Sequence, residues 1–190
     1  MRPARYAPPI TRDLASRPLN DLDPEEEGRA AEDGDLDGNK AYEDLRGMSW
    51  EDAAATLQQD RMIVARLSTA EDLDESYEGF ETERLSEWGA DALWGLDPGV
   101  AAATIALSAL GATPVSSCNG GVLGGDHLEK YPLVTFYEAA APPQDLLACV
   151  EAANAGLLVD GRGRIQLFGA TCEELLAFAG AAVRLRGEGA

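Results

Sequence analysis

The residues best suited to chemistry in this chain lie together in one glycine-rich stretch, Thr113–Pro132. Cys118 and the only histidine of the chain, His127, flank four glycines there. A thiol and an imidazole on a loop between two strand-like runs are groups that nucleophilic catalysis and metal binding use. Because scaffolds place function on loops more often than on the elements they connect, we predict that this stretch is the site.

Two chemistries and one structural role are open for Cys118 and His127. Cys118 follows a strand and precedes Asn119, so loop N–H groups would favour its thiolate, with His127 as base and the same amides as an oxyanion hole. Alternatively, Cys118, His127 and either Asp126 or Glu129 would bind a transition metal such as zinc. In the structural alternative, Cys118 is a small buried side chain and His127 a hydrogen-bonding loop residue.

The loop is also predicted to bind a small ligand. The ligand-binding residues would be Ser116, Ser117, Asn119, Gly120 and Gly121. Gly120 and Gly125 have the spacing of a phosphate-binding loop, but Asp126 stands where that motif needs lysine. Nucleotide binding by this route is therefore disfavoured, and the glycines are expected to permit positive φ and close backbone approach. Asn119 is expected on the exposed surface of the loop.

The sequence around this loop resembles two groups of proteins. Residues 95–121, GLDPGVAAATIALSALGATPVSSCNGG, resemble a segment of bacterial proteins of uncharacterised function. Ser116–Gly120, SSCNG, also resembles the S-S-C-S-G signature of the tRNA wybutosine-synthesis methyltransferase family that lacks a Rossmann fold, and DGRGRIQLF parallels its second half. Asn119 replaces a serine of that family, and Gly121 replaces an arginine. The resemblance covers about residues 98–170 and implies the fold and a site at Ser117–Gly120, whereas methyl transfer to tRNA does not carry over.

The charge of the chain is strongly negative and unevenly distributed. Its 190 residues carry a formal net charge of −19, of which −18 falls on residues 21–97 and +3 on residues 1–20. Such a charge repels phosphates and anionic membranes, so nucleic-acid and membrane partners are disfavoured. The remaining partners are a small molecule at the loop or a basic protein. In the second case residues 21–97 would make the chain a non-catalytic interaction or accessory protein.

The cysteines and the hydropathy indicate a compartment. Cys118, Cys149 and Cys172 are an odd number, and the N-terminus lacks the apolar core of a signal peptide, which predicts free thiols in a reducing cytoplasm. The longest apolar run, residues 100–112, is too short to cross a membrane. Cys149 is expected in the core, and Cys172 begins a helix whose following glutamates oppose activation of its thiol.

Residues 1–47 are rich in Pro, Arg, Asp, Glu and Gly and lack apolar periodicity, which predicts a disordered tail. Within it, residues 33–44 read DGDLDGNKAYED and match the first six positions of an EF-hand calcium loop. The calcium ligands would be Asp33, Asp35, Asp37 and Asp44. An EF-hand needs glutamate at position twelve, where this chain has aspartate. The favoured interpretation is therefore a solvated acidic segment rather than a calcium site.

The remaining pattern predicts one α+β domain over residues 48–190. Ser49 and Asp52 have capping-box spacing at the start of a helical segment, residues 48–97, that wraps the core. Residues 98–190 follow the order α-β-β-α-β-β-α. The helices are predicted at Pro98–Leu110, at Gln144–Ala155 and after Thr171, and the strands at Thr113–Ser117, Leu133–Glu138, Leu157–Val159 and Arg164–Phe168. This order predicts two layers, helices packed on one antiparallel or mixed sheet of about four strands.

The first helix of that core, predicted at Pro98–Leu110, leads directly into the site. It is apolar on all sides and is expected to be central. Asp97 is interpreted as its N-cap, and Gly111 as its end. In the acidic segment before it, Tyr77 is interpreted as an aromatic anchor of the core.

Overall fold

One antiparallel sheet forms the centre of the computed structural model. Its strands are β1 (Thr113–Cys118), β2 (Leu133–Tyr137), β3 (Gly156–Val159) and β4 (Ile165–Phe168). The strand order is β1-β2-β4-β3, so β1 and β3 are the edges, and every pairing is antiparallel. The structure describes residues 1–15, 17–40, 42–86, 92–138 and 143–188.

Six α-helices accompany the sheet in these described ranges. They are α1 (Pro24–Asp33), α2 (Trp50–Ser68), α3 (Leu73–Ser86), α4 (Ala101–Ala109), α5 (Pro143–Ala152) and α6 (Cys172–Glu188), with a 3-10 turn at Ala92–Gly95. Helices α4, α5 and α6 contact the sheet, and α2 packs across α4 and α6. The predicted α+β fold with a four-stranded sheet is confirmed. No helix in the described part of the chain combines the length and apolarity needed to cross a membrane.

Two helix boundaries follow the local signals of the sequence. At the start of α2, the Asp52 N–H donates to Ser49 Oγ over 3.1 Å, and the Ser49 N–H donates to Asp52 Oδ2 over 3.0 Å. This is the predicted capping box, which satisfies N–H groups that have no partner inside the helix. At the end of α4, Gly111 has φ 87° and the next N–H, from Ala112, donates to the Leu107 carbonyl. The predicted stop at Gly111 is therefore confirmed.

The start of α4 differs from the prediction. The helix begins at Ala101, and Asp97 does not cap it. Instead, the fully buried Asp60 of α2 accepts hydrogen bonds from the Gly99 N–H over 2.6 Å and from the Ala102 N–H over 3.0 Å. Burial raises the pKa of Asp60 to about 6, against the opposing effect of these two N–H groups. A carboxylate from a neighbouring helix thus replaces the local cap and leaves Asp97 available elsewhere.

The N-terminal segment packs on the domain, which differs from the predicted disordered tail. The Arg12 backbone forms a parallel bridge with Leu157 on the outer edge of β3. Asn39 Nδ2 donates to the Val115 carbonyl of the other edge strand, β1, over 2.7 Å. Both sheet edges are therefore partly covered by residues that precede the predicted domain, which protects them from pairing with other chains.

Apolar residues of the N-terminal segment also cover the second face of the sheet. Leu36 is fully buried and forms a cluster with Tyr42, Val115 and Tyr137, whereas the neighbouring Phe136 faces the main core. The apolar residues of the N-terminal segment that cover this face do not recur at helical intervals. Local periodicity therefore did not indicate that they are buried. Their removal from water offsets the entropy of ordering the segment.

The acidic residues considered for calcium have other partners. Asp37 accepts from Arg164 Nη1 over 2.6 Å and from Arg162 Nη1 over 3.1 Å, and Asp44 accepts from Arg46. Asp35 belongs to no group of three potential ligands among the described residues, and the side chain of Asp33 lies outside them. The ion pairs of Asp37 tie the segment to the hairpin between β3 and β4, a structural role for these charges.

Candidate functional site

The loop after β1 folds back on itself at Gly120, a position that accepts only glycine. Gly120 has φ 67°, and a Cβ there would lie 2.6 Å from the backbone of Tyr131. Asn119 was expected on the exposed surface of the loop, but it is fully buried. Its Oδ1 accepts from the Gly121 N–H over 2.8 Å, and its Nδ2 donates to the Pro98 carbonyl. Asn119 therefore joins the loop to the segment that precedes α4.

This connection brings three potential ligands together. Cys118 Sγ lies 3.5 Å from His127 Nδ1, and Asp97 Oδ2 lies 3.2 Å from the same nitrogen. The ligand atoms of the three residues all lie within 4.8 Å of one another, and no other such group of three occurs in the described ranges. The side chains are mostly enclosed, with 10% of His127 and 27% of Asp97 exposed. Sulfur, nitrogen and oxygen therefore converge on one small volume.

A second layer of hydrogen bonds fixes each of the three groups. His127 Nε2 lies 3.2 Å from the Gly124 carbonyl, so this nitrogen carries a hydrogen and Nδ1 faces the cysteine and the aspartate. Asp97 Oδ2 accepts from the Asn119 N–H over 3.2 Å. The Gly120 N–H points to Cys118 Sγ over 3.4 Å. All three side chains are thus held in place by the loop backbone.

Helix α3 closes the site from outside. The Tyr77 hydroxyl donates to Asp97 Oδ1 over 3.1 Å, and its ring meets the His127 ring edge-on with 5.6 Å between centroids. In the turn before that histidine, the Gly125 N–H donates to Asp74 Oδ1 over 3.1 Å, and Arg2 pairs with the same carboxylate. The loop is therefore bound to α3 at two points.

The charges of the site support one another. The hydrogen bond to Asp97, followed by the contact with Cys118, raises the pKa of His127 to about 10. Burial acts to raise the pKa of Asp97, but His127, the Asn119 N–H and the Tyr77 hydroxyl together lower it. Burial and the nearby Asp97 carboxylate raise the pKa of Tyr77, which therefore stays a neutral donor. In the metal-free site a protonated imidazole faces an ionised carboxylate.

The structure brings some of the predicted site residues together and separates others. Cys118 and His127 are in contact, whereas Asp126 and Glu129 are exposed and contribute nothing to the cluster. Asp97 takes the third position. Ser116 and Ser117 line a cavity that Asp97 also lines, and Gly120 and Gly121 shape the loop.

The other two thiols are not part of this site. Cys149 is buried, as expected for a core residue. Cys172 begins α6 but is fully buried, and burial raises the pKa of its thiol well above the ordinary value. Within the described residues Cys118 is the one thiol with a partly accessible side chain.

Sequence reasoning missed Asp97 and Tyr77 for identifiable reasons. An aspartate before proline at the start of an apolar helix has the same appearance whether it caps the helix or binds a group elsewhere. Only the contribution of Asp60 from α2 distinguishes the two, and that requires the tertiary structure. Tyr77 was interpreted as a core anchor, and its buried ring agrees, but its hydroxyl has the additional partner Asp97.

Comparisons with known proteins identify no relative of this chain. No protein-family model, no curated protein and no solved structure matches the chain.

Proposed function

We propose that Asp97, Cys118 and His127 bind one transition-metal ion, preferentially zinc. The observation that carries this proposal is that the sulfur and the carboxylate oxygen both face the same imidazole nitrogen, Nδ1, at 3.5 and 3.2 Å. In a hydrolytic relay of cysteine, histidine and aspartate, the thiol and the carboxylate lie on opposite nitrogens. In a metal site, all ligand atoms point to one centre.

Two of the three distances between the ligand atoms agree with tetrahedral zinc geometry. Zinc at about 2.3 Å from sulfur and about 2.0 Å from nitrogen, at the tetrahedral angle, places those two ligand atoms about 3.5 Å apart. The same calculation gives about 3.3 Å between the nitrogen and a carboxylate oxygen. The distances of His127 Nδ1 from Cys118 Sγ and from Asp97 Oδ2 are 3.5 and 3.2 Å, so these two pairs would need little movement to admit the ion.

The hydrogen bonds around the ligands support the same proposal. A metal-bound histidine characteristically donates its other N–H to a carbonyl or carboxylate, and His127 Nε2 faces the Gly124 carbonyl. Ligating carboxylates are held in turn, as Asp97 is by Tyr77 and Asn119. The Gly120 N–H directed at Cys118 Sγ would stabilise a bound thiolate.

The ligand set favours zinc and a reactive type of site. One thiolate, one imidazole and one carboxylate suit zinc, whereas calcium and magnesium prefer oxygen ligands alone. Structural zinc sites use four protein ligands, and catalytic sites use three and leave one position for water or substrate. With three protein ligands, this chain would present an open position to a small molecule. The reducing cytoplasm that the free cysteines suggest would keep the thiol available for the metal.

Metal analysis of purified variants tests the proposal. The wild-type chain loaded with zinc and freed of excess metal is expected to retain one zinc per chain. Asp97→Asn, Cys118→Ser and His127→Gln are each expected to weaken retention at least about tenfold, the scale of losing one group from a metal site. Asp126→Asn is the matched control, because it removes the same charge from an exposed residue next to His127. Equal zinc loss in Asp97→Asn and Asp126→Asn would contradict the assignment.

A second candidate is a thiol nucleophile without metal. The specific observation in its favour is the pairing of Cys118 Sγ with His127 Nδ1 together with the Gly120 N–H directed at the sulfur. A thiolate beside an imidazolium would attack an electrophilic carbon, and loop amides would bind the developing oxyanion. Iodoacetamide labelling at neutral pH separates the candidates. Zinc is expected to protect Cys118 from alkylation, whereas a metal-independent nucleophile would react at the same rate with and without zinc.

A further inference from the structure

A cavity of about 270 Å³ lies beside Asp97, one of the three proposed metal ligands. It is bounded by the edge strand β1, by the 3-10 turn before Asp97 and by the N-terminal segment that covers that edge. Ser116 and Ser117 line it from β1, and Tyr42 and Glu43 line it from the N-terminal segment. Because β1 runs from the cavity into Cys118, a molecule held there would lie next to the Asp97 carboxylate.

The charges on the cavity wall select the kind of molecule it accepts. Two carboxylates, Glu43 and Asp97, line it, and none of the described lining residues is lysine, arginine or histidine. Glu43 forms no ion pair among the described residues, and its side chain lies over Gly95. Because Asp97 is already paired with His127, Glu43 supplies the net negative charge of this lining, which repels phosphates and carboxylates and attracts cations.

Two aromatic side chains add a second kind of attraction. Tyr42 and Trp94 both line the cavity. The indole is held in place because Trp94 Nε1 donates to Thr56 Oγ1 over 2.9 Å. An ammonium group over such a ring gains electrostatic energy from the ring face, an effect that grows as water is excluded.

The wall that carries the indole has an uncommon backbone. Leu93 and Trp94 have φ of 55° and 57°, and Gly95 follows at 72°, so three consecutive residues are left-handed. Such a conformation costs a residue with a side chain about 1–2 kcal/mol, and it occurs preferentially at ligand sites. Here it directs Trp94 to the cavity and leads directly into Asp97.

We propose that this cavity binds the ammonium group of a small organic amine, with Glu43 as its counter-ion and the rings of Tyr42 and Trp94 against the ammonium group. The proposal goes beyond metal binding, because these three recognition residues are not metal ligands. The ligand is a cation because of the Glu43 carboxylate. The hydroxyl groups of the cavity wall alone would also accept neutral and anionic molecules.

The experiment compares three probes of equal size and different charge: n-butylammonium, n-butanol and butyrate. Protein of measured zinc content, with and without zinc, is titrated at constant ionic strength and followed by the NMR signal of the Trp94 indole N–H. Butylammonium is expected to give saturable shifts in both forms, with affinity at least about fivefold above that of butanol. Butyrate is expected to give no saturable shift.

Paired variants connect the binding to the wall. Glu43→Gln is expected to weaken butylammonium binding about twofold to fivefold while leaving butanol binding unchanged. Glu78→Gln removes the same charge from an exposed position on α3 and is expected to leave both affinities unchanged. Equal binding of all three probes, absence of butylammonium binding, or equal effects of the two variants would overturn the proposal. Because zinc content is measured separately, none of these results depends on the metal assignment.

Discussion

Replacing Gly120 by alanine tests how the site loop is held. Its φ of 67° is favourable for glycine and unfavourable for alanine, which loses about 1–2 kcal/mol in that region. The added methyl would also lie 2.6 to 2.7 Å from three backbone atoms of Tyr131, well inside van der Waals contact. The backbone of Tyr131 cannot relieve this clash by a change of rotamer, as a flexible side chain could. The loop must therefore shift, at a cost of about 1–3 kcal/mol.

Together these effects predict that Gly120→Ala lowers the free energy of unfolding by about 2–4 kcal/mol, after a small gain from the stiffer unfolded chain. Urea unfolding followed by circular dichroism measures the change. The matched control is Gly79→Ala, because Gly79 lies inside α3 with nothing within 4 Å of an added Cβ. That variant is expected to be more stable than wild type by about 0.5–1 kcal/mol. If both variants unfold at the same urea concentration, the close approach of the loop to Tyr131 is incorrect.

Four further predictions concern the elements that support the site. Deleting residues 1–47 is expected to expose buried apolar side chains at a cost of about 2 kcal/mol or more, which lowers the melting temperature by about 4–8 °C or more; an unchanged melting temperature would show that the segment does not pack. Asn119→Ala is expected to cost about 1–3 kcal/mol in urea unfolding, because its buried hydrogen-bond partners lose their contacts; a cost below about 0.5 kcal/mol would place it on the surface. Ile105→Ala, a fully buried truncation in α4, is expected to cost about 2–5 kcal/mol, and a neutral result would contradict the central position of that helix. Burial raises the pKa of Asp60 from 3.8 to about 6, so its contribution to the free energy of unfolding is expected to be complete below pH 4 and to be lost, by about 3 kcal/mol, as the pH rises through 6. Urea unfolding of wild type and Asp60→Asn across this pH range measures the loss as a difference between the two profiles. Parallel profiles would refute the prediction.

The sequence predicted those features that depend on neighbouring residues. The capping box of Ser49 and Asp52 and the glycine end at Gly111 are local hydrogen-bond patterns, so their spacing was sufficient. The four strands were found because each is a short apolar run between turn residues. The pairing of Cys118 with His127 could also be predicted, since the eight residues between them include four glycines, which allow the chain to fold back.

The features that escaped prediction depend on distant parts of the chain. Asp97 became available as a ligand because Asp60, far away in sequence, took over the N-terminus of α4. Asn119 is buried because the segment before α4 covers it. The N-terminal segment is ordered through ion pairs such as that of Asp37 with Arg164, and these have no local signal. In each case a long-range contact decided between two roles that have the same appearance in sequence.

Zinc K-edge X-ray absorption on protein loaded with one equivalent of zinc tests the metal assignment most directly. We predict a shell with one sulfur at about 2.3 Å and the remaining nitrogen and oxygen ligands at about 2.0–2.1 Å. Cys118→Ser should remove the sulfur contribution, because Cys149 and Cys172 are buried and do not belong to the group of three potential ligands. A wild-type spectrum with no sulfur, or with two or more, would contradict a centre built from Asp97, Cys118 and His127.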